Sequence, residues 1–444
     1  MTDETIAAVV MAGGMGTRMR SAVPKHLHPL LGRRMIDWVI ESGRAAGADP
    51  LVVVTSPQAR DAFEDDDRIA TAVQEDARGT GDAVRAAREA LAGRGDDVLV
   101  LSGDTPLLQA DLLRELVSCH RAEGAAATLL TALPDDPRLY GRVVRDADGN
   151  VTRVAEGVDA TPDEAAIREV NTSIYVFRAD ALWSAVERLE PKNVQGELYL
   201  TDTIGILARD GRRIAAYTAP EAHDTDGVNT RAELASAAAM LRDRVNERHL
   251  LAGVTIVDPS ATWIDDSVEI EPDVTIHPFV VLRGATRIAT GAEIHAQSVI
   301  VDAEVGPGAV VGPFCYLRPG TDLGSESKAG TFVEIKNSRI GARTKVPHLS
   351  YIGDASIGED TNIGAGAITA NFPHRPGQPK GRTTIGSSVR TGIHNGFVAP
   401  VEIGDRAWIA AGSVITKSVP SDALGIARPR QENKEGYAAR HRDD

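Results

Sequence analysis

A chain of 444 residues is longer than one ordinary core encloses, so two domains are expected. Its net charge of −15 argues against a nucleic-acid surface, which calls for a basic face, although a few well-placed Arg and Lys still suit a small phosphate. Two cysteines, Cys119 and Cys315, make no disulfide framework and no apolar run nears the length of a membrane span, so the expectation is a cytoplasmic protein with no membrane partner.

The first element is an apolar run, Ile6 to Met11, read as a buried strand. It breaks into Gly13, Gly14 and Gly16, followed by Thr17, Arg18 and then Pro24-Lys25. Glycines directly after a strand let backbone N–H groups approach an anion, and Arg18 and Lys25 add the side-chain charge that polyphosphate chemistry needs. The Walker pattern would need GK followed by Ser or Thr, and the dinucleotide pattern a glycine two residues further on; neither is present. A tight strand-to-helix turn is the plainer reading of the glycines alone. The whole string, a glycine loop, then GTRM, then PK, resembles the signature of sugar-1-phosphate nucleotidyltransferases.

Met35, Ile36, Val39 and Ile40 then recur at helical spacing, Leu51 to Thr55 reads as a second strand, and Val98 to Leu101 as another running into Ser102-Gly103-Asp104-Thr105-Pro106. This alternation predicts a parallel, doubly wound α/β sheet, with ligands beyond the carboxyl ends of its strands. Asp104 is the candidate ligand for a hard divalent ion such as Mg²⁺. Gln74 with Arg78-Gly79-Thr80-Gly81 suits a base edge, Tyr140-Gly141-Arg142 returns a loop to a strand, and Glu156 and Asn171 suit sugar hydroxyls. Each of these taken singly also fits a turn or a surface position.

The order and spacing of MAGGMGTRM, RGTGDA, SGDTPLL, YGRV, NTSIYVF, NVQGELYLTD and GVNTR resemble those of the bacterial bifunctional N-acetylglucosamine-1-phosphate uridyltransferase / glucosamine-1-phosphate N-acetyltransferase family, essentially end to end. The resemblance implies that Arg18 and Lys25 contact and activate the triphosphate. It implies a nucleotide site of Met11, Ala12, Gly13, Gly14, Lys25, Gln74, Gly79, Thr80, Ser102 and Asp104, with Gln74, Gly79 and Thr80 at the uracil. Gly141, Glu156, Asn171 and Asn229 would hold the sugar side, and Asp104 and Asn229 one Mg²⁺. In such an enzyme the phosphate of N-acetylglucosamine 1-phosphate attacks the α-phosphorus of UTP in line and pyrophosphate leaves.

After this half, residues 1–228, the stretch Arg231 to Leu251 is rich in Ala, Leu and Arg with no internal Gly or Pro, which predicts one long helix ending at Gly253. It fits a linker over 229–253, or an ordinary helix packed on the first domain.

Residues 254–444 change character. Ile385, Thr391, Phe397, Ile403, Ile409 and Ile415 lie six apart, as do Ile340, Val346 and Ile352 and then Ile357, Ile363 and Thr369, with a one-residue slip between sets. A six-residue period with small corner residues describes a parallel β-helix with the aliphatic residue pointing inward; the hexapeptide acyltransferases that the chain resembles wind left-handed. Arg318, Lys336, His348, Tyr351, Asn362 and Asn371 interrupt the repeat on successive coils. His348 is the natural general base for acyl transfer to an amine, and VPHLSYIGD resembles the family's GHLxYxGD segment.

The resemblance further implies that Arg318 and Lys336 hold the phosphate of glucosamine 1-phosphate, that Tyr351, Asn362 and Asn371 position its amine, and that acetyl-CoA meets Ala365, Ala411 and Arg428, with Lys380, Arg382 and Arg430 near its phosphates. It also implies a homotrimer serving cell-wall (peptidoglycan) synthesis. Two departures stand out. Asn371 is followed by Phe372-Pro373-His374-Arg375-Pro376 where the family reads NYDG, and Ile393 replaces a family Ser. The leading reading is synthesis of UDP-N-acetylglucosamine by both halves. The alternatives are a nucleotidyltransferase whose β-helix half is inactive or altered, and a non-catalytic scaffold.

Overall fold

The computed structural model describes residues 4–442, apart from 15, 64–65, 67–68, 92, 138–139 and 374–376. It divides into two compact units, residues 1–241 and 242–444.

The first unit is built on one sheet. Ile6–Ala12 lies at its centre, parallel to Leu51–Thr55 on one side and Asp97–Ser102 on the other, with Val10 opposite both Val53 and Leu101. Strand period decides the two faces. Ala7 and Val9 pack with Val52, Val98 and Phe177 on one side. Ile6, Ala8 and Val10 pack on the other against Ile36, Val39 and Ile40 of the helix Met35–Ala45. Gly43 lets that helix close on the sheet, since a Cβ there would lie 3.1 Å from Leu101 and 3.3 Å from Leu51.

The sheet is mixed, not all parallel. Val170–Arg178 runs antiparallel to both Asp97–Ser102 and Ala127–Ala132. Alternating helix and strand patterns carry no information on strand direction, which is why the sequence reading misses this. The same strand breaks register between Asn171 and Tyr175, where Ser173 adopts a φ of 62°. A left-handed residue inside a strand is costly outside Gly, and here it turns the Ser173 side of the strand toward the cleft described below.

The helix Arg231–Leu251 starts on a reciprocal cap: Glu233 accepts from the Thr230 N–H (2.9 Å) and its own N–H donates to the Thr230 hydroxyl (3.2 Å). Ala237 and Leu241 join Leu30, Met35, Leu107 and Val228 in the first unit. In the second unit, Asn246 donates to the carbonyls of Pro259 and Thr262.

The second unit is a parallel β-helix. Short strands stack into three parallel ladders, represented by Thr275–Ile276 on Glu293–Ile294, Val281–Arg283 on Val299–Val301, and Arg287–Ile288 on Glu304–Val305. Ile276, Leu282, Ile288, Ile294 and Ile300 point inward and are at most 1% exposed. The phase slip has a simple origin: most coils take 17 or 18 residues, so one face loses a residue while the stack keeps its pitch, as Val305 pairs with Leu323 and Leu323 with Ile340. Phe397 is the large exception inside this narrow prism. It stacks on Thr369, and Thr391 lies in its own coil, so two small side chains leave room for its ring. Cys315 is buried, which pushes its thiol up to about 12, and burial raises the half-buried Cys119 as well, so both are held toward the thiol form. The polar tail is exposed and carries a helical turn at Tyr437–Arg440. Among the described residues no helix is long and apolar enough to cross a membrane.

Candidate active sites

Two of the glycines after the first strand are there because neighbours leave no room. A Cβ on Gly13 would lie 2.6 Å from the Gln74 carboxamide oxygen. Gly16 has a φ of 64°, and a Cβ there would collide with the side chain of Lys25. Gln74 is buried; its amide donates to the Gly79 carbonyl (3.0 Å) and to Asp82 (3.1 Å), so its donor group fixes the second small loop. The Thr80 hydroxyl accepts from the Leu200 N–H (2.9 Å). Met11, Ala12, Gly13, Gly14, Lys25, Gln74, Gly79, Thr80, Ser102 and Asp104 all line one cleft of about 300 Å³.

At one end of this cleft Lys25 bridges two loops. Its ammonium donates to the Asp104 carboxylate and to Asn229 Oδ1 (3.0 Å), and Arg18 donates to the same Asn229 oxygen (2.9 Å). Ser102 donates to the other Asp104 oxygen (2.6 Å). Asp104 does not cap the helix that follows, whose N-cap is Gln109. Burial acts to raise the Asp104 carboxyl, but Lys25 and the Ser102 hydroxyl outweigh it and hold the acid below its usual range. One carboxylate oxygen and one amide oxygen from separate loops thus converge on a point filled by a positive charge. That donor set fits a hard divalent cation.

The sugar-side candidates fall into two groups. Glu156 accepts from the Thr201 hydroxyl (2.7 Å); burial raises its carboxyl and this bond opposes the rise. A Cβ on Gly141 would lie 3.5 Å from Glu156, and the Gly141 carbonyl accepts from the Asn171 N–H (2.8 Å). Asn171 is buried and donates to the Tyr175 hydroxyl (2.7 Å). Glu156 and Tyr175 line an adjoining cleft of about 240 Å³ that shares Met11, Thr80, Ser173 and Glu197 with the first. Asn229, by contrast, sits with Arg18, Lys25 and Asp104. Sequence reasoning missed Ser173, Glu197, Tyr199 and Thr201 in these walls. The last three lie within the string NVQGELYLTD, but no residue type there singles out a wall position.

In the second unit a cationic cluster forms around Lys336. Its ammonium is pushed down first by Lys380 and then by Arg318, so three like charges gather on one surface. Arg318 is tethered by Glu334 (2.7 Å). Asp354 accepts from Asn371 and from Asn337 (2.6 Å), and a Cβ on Gly353 would collide with the Tyr351 hydroxyl and lie 2.8 Å from the Asn371 amide. Arg318, Lys336, Tyr351 and Asn371 therefore meet on neighbouring coils, with Lys380 added from the loop after Asn371. His348 is exposed at the end of the strand Lys345–His348. Asn362 lies on that same ladder, in register with Lys345, and not on the ladder of Tyr351.

The acetyl-CoA candidates Ala365, Ala411 and Arg428 follow one corner of the prism. The Ala365 carbonyl accepts from the His394 N–H (2.7 Å), the Ile393 carbonyl from the Gly412 N–H (2.8 Å), and a Cβ on Gly412 would lie 3.9 Å from Arg428. Ile393 is 53% and Phe372 76% exposed. Arg382 is held by the Ser356 hydroxyl (2.7 Å), and Arg430 is exposed. His374, Arg375 and Pro376 lie outside the described residues.

Residues 8–190 match the model of the MobA-like NTP transferase domain. The chain is 47% identical to the bifunctional protein GlmU of Streptomyces coelicolor, covering 98% of this chain and 94% of that one. The chain belongs to the bifunctional GlmU family. The GlmU proteins of Kineococcus radiotolerans (48% identical; 97% and 91% covered) and Pelobacter propionicus (44%; 98% and 99%) extend the likeness beyond one genus. The GlmU match runs through both units, so the β-helix belongs to the shared design as much as the nucleotidyltransferase unit does.

Proposed function

We infer that this chain makes UDP-N-acetylglucosamine by two successive group transfers, the product feeding cell-wall synthesis. The inference rests above all on the GlmU likeness running through both units, joined to the Arg18–Lys25–Asp104–Asn229 cluster beside a cleft of about 300 Å³. That coverage disfavours both an idle β-helix and a non-catalytic scaffold.

In the β-helix unit the amine of glucosamine 1-phosphate attacks the acetyl carbonyl of acetyl-CoA. A C–N bond forms, the C–S bond breaks, and His348 takes the amine proton and passes it to the departing thiolate, so that CoA leaves as the thiol. Arg318 and Lys336 hold the sugar phosphate, joined by Lys380, which lies beside Lys336 and is reassigned here from the CoA phosphates; Tyr351 and Asn371 orient the acceptor from one ladder and Asn362 from the next. Ala365, Ala411 and Arg428 line the CoA column.

In the first unit the phosphate of N-acetylglucosamine 1-phosphate attacks the α-phosphorus of UTP, and pyrophosphate leaves with the bonding pair. Arg18 and Lys25 stabilise the charge that develops, and positioning supplies the rest. Gln74, Gly79 and Thr80 frame the uracil, while Gly141, Glu156 and Asn171 hold the sugar. Asp104 and Asn229 would hold Mg²⁺, which when bound neutralises phosphate charge. A homotrimer in the cytoplasm is part of the same reading.

Two assays on one preparation test it: thiol release with glucosamine 1-phosphate and acetyl-CoA, and pyrophosphate release with N-acetylglucosamine 1-phosphate and UTP. Both should proceed. Pyrophosphate without thiol would leave a nucleotidyltransferase alone, and neither would leave a scaffold.

A further inference from the structure

Early in the β-helix, away from the residues assigned above, three metal-binding side chains share one outward face. Thr275–Ile276 and Glu293–Ile294 are neighbouring rungs of one ladder, with Ile276 and Ile294 directed into the core. The period of two therefore turns Glu293 and His295 outward together, and the rung before adds His277 beside His295. The two imidazoles stack with ring centroids 4.9 Å apart. His277 Nε2 lies 2.9 Å and His295 Nε2 3.8 Å from the same Glu293 oxygen, and all three ligand atoms fall within 4.8 Å of one another. Gly312 occupies the next position along this ladder, where a Cβ would collide with the Ser298 hydroxyl and come within 3.3 Å of His295 Cβ.

We propose that His277, Glu293 and His295 form a zinc site. Zinc bonds to imidazole nitrogen and carboxylate oxygen are about 2.0–2.2 Å, which sets tetrahedral ligands roughly 3.3–3.6 Å apart. The separations of 2.9 and 3.8 Å bracket that spacing, and these side chains are only 31–43% exposed, so small rotamer shifts complete it. Two nitrogens and one carboxylate select zinc over magnesium, which prefers oxygen alone. The fourth position faces solvent and takes water. The metal would clamp two adjacent rungs across the partly exposed histidine–glutamate pair.

Cobalt(II) serves as the probe in place of zinc, because four-coordinate cobalt absorbs strongly in the visible and six-coordinate oxygen-bound cobalt does not. The full chain, free of any affinity tag and in excess Mg²⁺ to occupy oxygen sites, is titrated with Co²⁺ and then with Zn²⁺ as competitor. The wild type should show the intense bands, saturate near one equivalent and lose them to zinc. His277→Ala and His295→Ala should abolish the bands, and Glu293→Gln should weaken binding by about tenfold or more. His223→Ala, which removes a histidine paired with Asp226 in the first unit, should change nothing. Retained thiol release in each β-helix variant shows that the fold survives the substitution. No bands in the wild type, or bands that persist in both histidine variants, would overturn the site.

Discussion

Lys25 is the most informative residue to remove. Its ammonium is shared between Asp104 and Asn229, and the Lys25 and Asp104 side chains are 14% and 19% exposed. Lys25→Ala leaves the Asp104 carboxylate with the Ser102 hydroxyl and a backbone N–H but without its cationic partner. Stranding a fully buried charge costs about 3–5 kcal/mol, and partial solvent access reduces this to roughly 1–2 kcal/mol. At about 2–4 °C per kcal/mol for a unit of this size, Tm should fall by only a few degrees. The rate should suffer far more: losing one preorganised positive group costs on the order of 10²–10³ in kcat. The double variant Lys25→Ala/Asp104→Asn separates the two effects. Removing both charges should restore most of the Tm while pyrophosphate release stays low, and thiol release should be untouched throughout. A Lys25→Ala enzyme with unchanged kcat/KM for UTP, or a double variant that regains the activity, would refute the role assigned to this lysine.

Gly13→Ala drives a methyl to 2.6 Å from the Gln74 carboxamide. It should raise KM for UTP about tenfold while Tm moves by no more than a few degrees, measured by pyrophosphate release and calorimetry. His348→Ala should cut thiol release by about 10²–10⁴ and leave pyrophosphate release intact; equal loss of both would point to a folding defect. His249 is buried beside Arg248 and Asp266, and its imidazole is pushed down to about 4, chiefly by that burial. The unfolded chain takes up this proton near pH 6.5 and the folded one only near pH 4. The stabilisation is thus full above pH 6.5 and falls away, by at most about 3 kcal/mol, as the pH drops toward 4. In His249→Gln the Tm of the second unit should depend less on pH across that window, and an unchanged slope would count against this account.

The parts legible in the sequence were those where one residue type has one physical use. Gly13 and Gly16 announced a tight turn because nothing larger fits against Gln74 and Lys25. Ile340, Val346 and Ile352 announced a coil because only an inward stack explains a period of six. What stayed hidden depends on neighbours distant in the chain. The antiparallel course of Val170–Arg178 leaves no mark on its composition. The left-handed Ser173 looks like any strand serine. Asn229 is expected both on the sugar side and with Asp104, and its residue type alone does not choose between the two; the structure places it with Lys25. The histidine pair was recoverable in principle, since His277 and His295 are one coil apart, but only after the coil length was known.

The β-helix keeps its inner ladder while its outer contour varies. Ile340 stacks on Ile357, 17 positions later, whereas Ile357 stacks on Ile385, 28 positions later, and the rungs on either side are still in register. The surplus falls between the strands Ile368–Ala370 and Thr383–Ile385, at the corner between two ladders, and Lys380 lies within it. Segment length at that corner is therefore decoupled from the spacing of the rungs, so residues can be added or removed there, reshaping what docks beside Lys336, without moving a single aliphatic in the column behind it.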